Sequence, residues 1–247
     1  MIVCVGVATR DTIYRISEFP EPDGRVLASA RVVAGGGTAA TAAVAVAKLG
    51  VPVRFVGVVD EDLPGVETVH MPGAMVESTI LVGDGTRAIV TEPWTPFECP
   101  PDSLEDAEWV HVDQVGWEAI ERLAPALKQA RVSVDGGNPI PDLDMSRVEL
   151  YAPNRDDGRR ARLTVITRGA GGCTAYAGDE RLDVPGYAVD EVVSTLGAGD
   201  VFHGALLAAF ARRLELADAL AKANAAAALS CRALDGRSAI PTWEELP

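Results

Sequence analysis

The chain has 247 residues, 48% of them hydrophobic and 23% charged. That composition excludes a disordered protein and suits one large domain that can bury a full core without covalent staples. The net charge of −14, from 36 acidic and 22 basic side chains, speaks against general binding to a nucleic-acid backbone, although a local site can still take a small anion.

Further exclusions follow from the pattern. No apolar run reaches about 18 residues, so no membrane-spanning helix is expected. The N-terminus lacks a basic segment and Met1–Val7 reads as a strand, so no secretion signal is expected and a cytoplasmic location is. Cys4, Cys99, Cys173 and Cys231 are scattered and read as reduced, partly buried thiols. His70, His111 and His203 are too dispersed for a metal cage and read as structural or surface residues.

In chain order, a short β-branched strand is followed by two alternating runs, Asp11–Ile16 and Val26–Val33, separated by the turn-rich Phe19–Gly24. That pattern predicts an antiparallel pair with one wet face. Gly35-Gly36-Gly37 then opens a small-residue helix to Leu49, and a strand follows over Val53–Val58. A second alternating unit, Val76–Leu81 and Arg87–Thr91, flanks the hairpin signal Gly83-Asp84-Gly85. After the Pro-rich segment 93–101, strands are expected at Trp109–Asp113, Val132–Asp135, Val148–Ala152, Leu163–Thr167 and Thr174–Ala177. Helices are expected at Trp117–Ala130, Ala198–Arg213 and Leu216–Leu234. Alternating strands and helices imply a parallel α/β sheet covered by helices. The two antiparallel units do not belong to it, and form a small β lid from about 11–33 and 70–95 on a single domain spanning 1–247.

The strongest chemical signal is Ser194-Thr195-Leu196-Gly197-Ala198-Gly199-Asp200-Val201-Phe202-His203-Gly204. A glycine-rich turn opens directly into an apolar helix, whose first N–H groups and partial positive charge suit a phosphate. Asp200 in the first turn can take a proton from an attacking hydroxyl, or simply cap the helix.

These residues resemble the C-terminal signature of the ribokinase-like (PfkB-type) carbohydrate kinases. Gly35–Thr41, Leu49-Gly50 and Val56–Asp60 are similar to that family's first signature, and Val165–Gly172 to its nucleotide-site strand and loop. Asp11–Tyr14, Ala39–Ala45, Gly199–Ala205 and Gly236–Pro241 look most like the sulfofructose kinase and ketohexokinase-like branch. The resemblance implies a three-layer αβα core with a mostly parallel sheet and a β-sheet lid. It implies transfer of the γ-phosphoryl group of ATP to a hydroxyl of a small sugar, a ketohexose or related carbohydrate. Asp200 is then the base, and the amides of Gly197, Ala198 and Gly199 form the anion hole. Asp11, Gly36, Gly37 and Thr41 hold the sugar. Thr167, Gly169 and Gly172 line the nucleotide phosphates, with Asn224 near adenine. Mg2+ accompanies ATP, no nucleic acid or membrane is a partner, and two lids can pair in a homodimer.

The chain departs from that family in four places. Ser194 stands where the family usually has an Asp that helps bind a monovalent cation, which leaves K+ activation open. Asn154-Arg155-Asp156-Asp157 replaces Asn-x-x-Glu, so no metal ligand is assigned, with Asn154 and Asp157 at most behind the metal's waters. Thr41 replaces an Asn. The stretches 62–70 and 157–163 are abridged. Trp94, Trp109, Trp117 and Trp243 are expected to pack. Asp135 has a site role or a turn role, Arg168 offsets phosphate charge or is solvated, and Arg237 meets an anion or forms a loop salt bridge. Gly35–Ala40 also satisfies G-x-G-x-x-A, with a strand ending near Asp60, so an NAD-dependent oxidoreductase is the rival enzyme class. A non-catalytic nucleotide- or sugar-binding protein is the third reading.

Overall fold

The computed structural model describes residues 1–83, 85–123, 127 and 130–247. Its core is a nine-stranded sheet, and sequence alternation decides what each face covers. In β1 (Ile2–Val5), Ile2 and Cys4 point to one face and Val3 and Val5 to the other, and all four are buried. The first face is covered by α1 (Thr38–Lys48), α3 (Ala198–Ala211) and α4 (Leu216–Ser230). The second is covered by α2 (Gln114–Ile120), through Trp117 and Ile120, and by loop residues such as Leu104, Ile140 and Leu143. This is the expected three-layer αβα arrangement.

The sheet is parallel over β11 (Leu163–Thr167), β10 (Leu150–Ala152), β9 (Arg131–Asp135), β8 (Trp109–Val112), β1, β4 (Val53–Gly57) and β5 (Glu67–His70), in that order. Beyond β11 it ends in two antiparallel strands, β12 (Cys173–Ala177) and β13 (Glu180–Val184). Two strands escape the sequence reading. Glu67–His70 alternates weakly and is half exposed at the sheet edge, and Glu180–Val184 is mostly charged. Between β9 and β10 the only helical element is the 3-10 turn Met145–Arg147, and none lies between β10 and β11, so the strict strand–helix alternation expected there is absent. The abridged segment 157–163 passes from Ala152 to Leu163 without a helix.

The second sheet has the order β3-β2-β6-β7, with β2 (Thr9–Arg15), β3 (Ala30–Gly36), β6 (Val76–Gly83) and β7 (Thr86–Thr91). Both expected hairpins form, and the parallel pairing of β2 with β6 joins them into one lid. Asp84, at the expected hairpin turn, lies outside the described residues. So do 124–126 and 128–129 of the helix expected over Trp117–Ala130; the observed α2 starts three residues earlier, at Gln114, and ends at Ile120, with 121–123 in a turn. The lid rests on the core through Ile13, Ile80 and Val82, against Leu196 and Leu234.

β3 runs through Gly35 and Gly36, so the glycine triplet closes a lid strand. A dinucleotide fingerprint needs its helix to be entered from a buried strand of the parallel sheet. Here α1 is entered from an exposed antiparallel strand of the lid, which removes the structural basis for the oxidoreductase reading.

Candidate active site

The carboxyl ends of β1, β8, β9 and β11 open on one edge of the core sheet, where open α/β sheets bind ligands. The N-termini of α1 and α3 arrive at the same edge, and the lid closes it from above.

Asp113, at the end of β8, organises the floor and was missed by the sequence reading. Its Oδ1 accepts the N–H groups of Val115 (3.0 Å) and Gly116 (2.9 Å), capping α2. Its Oδ2 accepts those of Val7 (2.8 Å) and Ala39 (3.3 Å). One buried carboxylate therefore ties the exit of β1, the start of α1 and the start of α2 together. Burial pushes its proton affinity up, to a pKa of about 6, against those four hydrogen bonds. A lone Asp after a strand and before Gln-Val-Gly-Trp was the available cue.

On the acceptor side, Asp11 lies on β2 with its Oδ1 accepting the Thr9 hydroxyl at 2.6 Å, and burial raises its pKa. The carboxyl occupies the space a side chain at Gly36 would need. A Cβ there would lie 2.6 Å from Asp11 Cγ and 2.7 Å from Thr9 Oγ1. Gly37, with φ of 89°, turns the chain into α1 close against Ala8. Thr41, one turn into α1, accepts from Arg237 Nε at 3.0 Å, and Arg237 Nη2 also donates to the Gly36 carbonyl. Asp11, Gly36, Gly37 and Thr41 thus form one cluster, to which Arg237 belongs.

At the start of α3, Gly197 adopts a left-handed conformation (φ 73°) and packs on Gly236. The Ala198 N–H bends back to the Thr195 carbonyl at 3.3 Å, while those of Gly199 and Asp200 have no partner among the described residues. Open donors at a helix start beside a residue with no Cβ suit an anion. Of the three residues expected in the anion hole, Gly197 and Gly199 keep free N–H groups among the described residues, as Asp200 does, whereas Ala198 spends its donor within the turn. Gly204 has a packing role: its missing Cβ lets α3 approach Ala45 of α1.

The Asp200 carboxyl has its pKa raised well above the carboxylate range, first by burial and then by the negative charge of Asp135, with Arg87 and Arg237 opposing. Arg87 reaches over from β7 to donate to Thr195 Oγ1 at 3.1 Å. Asp135, at the end of β9, accepts the Gly137 N–H at 2.7 Å, and His203 Nδ1 approaches its Oδ2 at 3.8 Å. His203 is 5% exposed and its Nδ1 lacks a hydrogen bond in this geometry. It lies against His111, whose Nδ1 faces Ser133 Oγ at 3.1 Å. His111 and His203 are therefore buried behind the site, and His70 is at the surface beside Asp62.

The expected nucleotide residues lie on the loop after β11. Thr167 is bonded through its N–H to Pro153 O (3.0 Å), and Gly169 and Gly172 have φ of 55° and 83°. Arg168 is spent on its own loop, bonded to Asp183 (3.2 Å) and to the Cys173 carbonyl (3.2 Å). Asn224 on α4 donates to Pro185 O at 2.9 Å and so clasps the end of β13 behind that loop. Asn154 reaches Gly137 O at 3.5 Å, next to Asp135. Asp157 is turned away, accepting the Tyr151 hydroxyl at 2.6 Å and the Arg159 N–H at 3.0 Å. Among the described residues no three His, Cys, Asp or Glu side chains gather as a metal cage. All four cysteines are free and buried. Trp109 and Trp117 are packed in the core, whereas Trp94 is 40% exposed.

The model of the pfkB family of carbohydrate kinases matches residues 149–243. The chain is 26% identical to an ATP-dependent ribose-1-phosphate kinase of Halopiger xanaduensis, over 96% of this chain and 94% of that one. It is 26% identical to a ribokinase of Bacillus subtilis, over 99% and 97%. In three dimensions it is similar to the nucleoside kinase of Methanocaldococcus jannaschii, with a TM-score of 0.81 at 20% identity, covering 99% of this chain and 95% of that one.

Proposed function

We propose that the chain is a carbohydrate kinase of the ribokinase-like, PfkB type and that it moves the γ-phosphoryl group of ATP onto a hydroxyl of a ketohexose or related small sugar, a reading supported by its similarity to that family. The observation that carries the reading is the meeting of three features at one sheet edge: the open amides of Gly199 and Asp200, the Asp200 carboxyl, and the Asp11–Gly36–Thr41 cluster.

The chemistry follows from those groups. Asp11 accepts sugar hydroxyls, with Gly36 and Gly37 letting the backbone pack close and Thr41 at the cluster's far side. Asp200 takes the proton of the attacking hydroxyl as its oxygen bonds to the γ-phosphorus, and the bond to the ADP oxygen breaks. The raised proton affinity makes the carboxylate a stronger base, which a hydroxyl acceptor requires. The open amides of Gly197, Gly199 and Asp200 receive the negative charge of the phosphoryl group in flight, and positioning and electrostatics do most of the work. Thr167, Gly169 and Gly172 line the nucleotide phosphates, and Asn224 supports the adenine side by holding Pro185. A phosphate-borne Mg2+ needs few protein ligands, which fits a site without a cage. Bound with ATP it would neutralise phosphate charge, and Asn154, beside Gly137, would be the residue to meet its waters. Ser194 Oγ accepts the Leu196 N–H at 3.1 Å, and K+ is not required in this reading.

The lid excludes water and so limits idle ATP hydrolysis. Its exposed Val33 and Val90, in register through Thr12 and Thr79 on the face opposite Ile13 and Ile80, give a second copy an apolar surface for a lid-to-lid homodimer. The whole chain acts as one cytoplasmic kinase domain of the ketohexokinase-like branch. No helix among the described residues is long and apolar enough to cross a membrane. The test is ADP release measured across ketoses, pentoses and nucleosides, with and without K+. Acceptor-dependent ADP release, greatest with a ketohexose, is expected. ATP binding without turnover on any acceptor would turn the protein into a binding module.

A further inference from the structure

The acceptor side of the cleft holds a cation whose contacts leave it unpaired. Arg237 is fixed through its backbone: Asp235 Oδ1 accepts its N–H (2.8 Å) and that of Ser238 (2.7 Å), and Lys48 Nζ donates to its carbonyl (3.2 Å). Its side chain donates to Thr41 Oγ1 and to the Gly36 carbonyl, and its Nη1 occupies the space above Gly35, 2.5 Å from where a Cβ would stand. Both hydrogen-bond acceptors are neutral. Among the described residues Arg237 forms no ion pair within 4.0 Å, in contrast to Arg10, Arg54, Arg160 and Arg168.

A half-buried guanidinium with no bonded counter-ion is costly, and burial here depresses its pKa to about 10. Two of its five N–H donors are used, and the rest form part of a planar fork of the shape that grips an oxyanion. The carboxylates that act on it are Asp11, Asp200 and Asp235; the first two flank the acceptor position, and the third is engaged by the Arg237 and Ser238 N–H groups. Asp11 is engaged with Thr9. Arg87 approaches Asp200 from the lid, again with a hydroxyl as its partner. Two guanidinium groups, from the C-terminal loop and from the lid, thus converge where the acceptor enters. A neutral sugar leaves Arg237 unmatched, whereas Arg87 is exposed to water.

We propose that the physiological acceptor carries an oxyanion besides its reacting hydroxyl, and that Arg237 receives that group beside Asp11 and Thr41. This rests on the kinase reading and names the substrate class of the same site. The test compares matched acceptors: ribose with ribose 1-phosphate, fructose with fructose 1-phosphate, fructose with 6-deoxy-6-sulfofructose, and glucose with gluconate. The pairs separate phosphate, sulfonate and carboxylate as the source of the charge. The wild type is expected to favour at least one charged member about tenfold or more in kcat/KM. Arg237→Met should lower that charged-to-neutral ratio by about ten- to a hundredfold, mainly through acceptor KM, as expected for a lost charge-assisted pair. Arg237→Lys should restore part of it. Thermal protection of the Asp200→Asn variant by the preferred charged sugar, lost when Arg237→Met is added, reads binding without turnover. Preference for neutral parents, or a ratio untouched by Arg237→Met, overturns the proposal. So does an equal fall in kcat on every acceptor at constant KM, which would put the guanidinium on the transferring phosphoryl group. If no acceptor of either kind stimulates ADP release, the kinase reading itself has failed.

Discussion

Gly36→Ala is the sharpest small perturbation of the acceptor site. A methyl group at 36 would stand 2.6 Å from Asp11 Cγ and 2.7 Å from Thr9 Oγ1, where ordinary contact begins at 3.4 Å. Asp11 Oδ2 stands closer still, so the carboxyl must retreat by about 1 Å or more and loosen its 2.6 Å bond to Thr9. Gly36 is also the carbonyl that Arg237 grips, so the retreat is not absorbed elsewhere in the cluster. A displacement of about 1 Å in a positioning group costs up to about 10²-fold in rate. We expect kcat/KM for the acceptor to fall about ten- to a hundredfold, while KM for ATP stays within about threefold because the nucleotide loop follows the distant strand β11. Steady-state kinetics with each substrate varied in turn decide it. An unchanged acceptor kcat/KM would refute the placement of Asp11 over Gly36. An equal loss on both substrates would show that the change acts on the fold instead.

Other outcomes follow from the same geometry. Asp113→Asn keeps an acceptor for Val115 and Gly116 but turns an N–H2 towards the N–H groups of Val7 and Ala39; it should cost about 3 kcal/mol and lower Tm by about 6–12 °C in a calorimetric scan. Asp135→Asn removes a negative charge that raises the Asp200 pKa. The acid limb of the kcat–pH profile, where Asp200 takes up its proton and stops acting as a base, should move to lower pH, and a shift to higher pH would contradict the coupling. Gly197→Ala places a side chain at φ 73° and 2.9 Å from Gly236 Cα, so kcat should drop about tenfold or more with little change in acceptor KM.

Much of this was legible in the chain itself. The glycine turn before an apolar helix announced the Gly197–Asp200 corner, because few other sequences can bend there and leave amides free. The alternating runs around Asp11 and Val76 separated lid from core, because a half-wet strand and a doubly buried one demand different residues. Strands β5 and β13 escaped because edge strands tolerate charge and short length. Asp113 escaped because its four partners come from three separate segments, and no local spacing encodes them. The roles of Arg168 and Arg237 stayed open for the same reason. Only the fold reveals that Asp183 neutralises the first, and that the second ends among Thr41 and Gly36 with no carboxylate bonded.

The account stands or falls on the carboxylate at the start of α3. Asp200→Asn keeps the shape of that turn and removes the group that accepts the proton. Turnover measured beside ATP affinity from direct titration should fall about 10²- to 10⁴-fold, with ATP affinity within about threefold of wild type. A variant that turns over at near-normal rate would contradict proton transfer to Asp200.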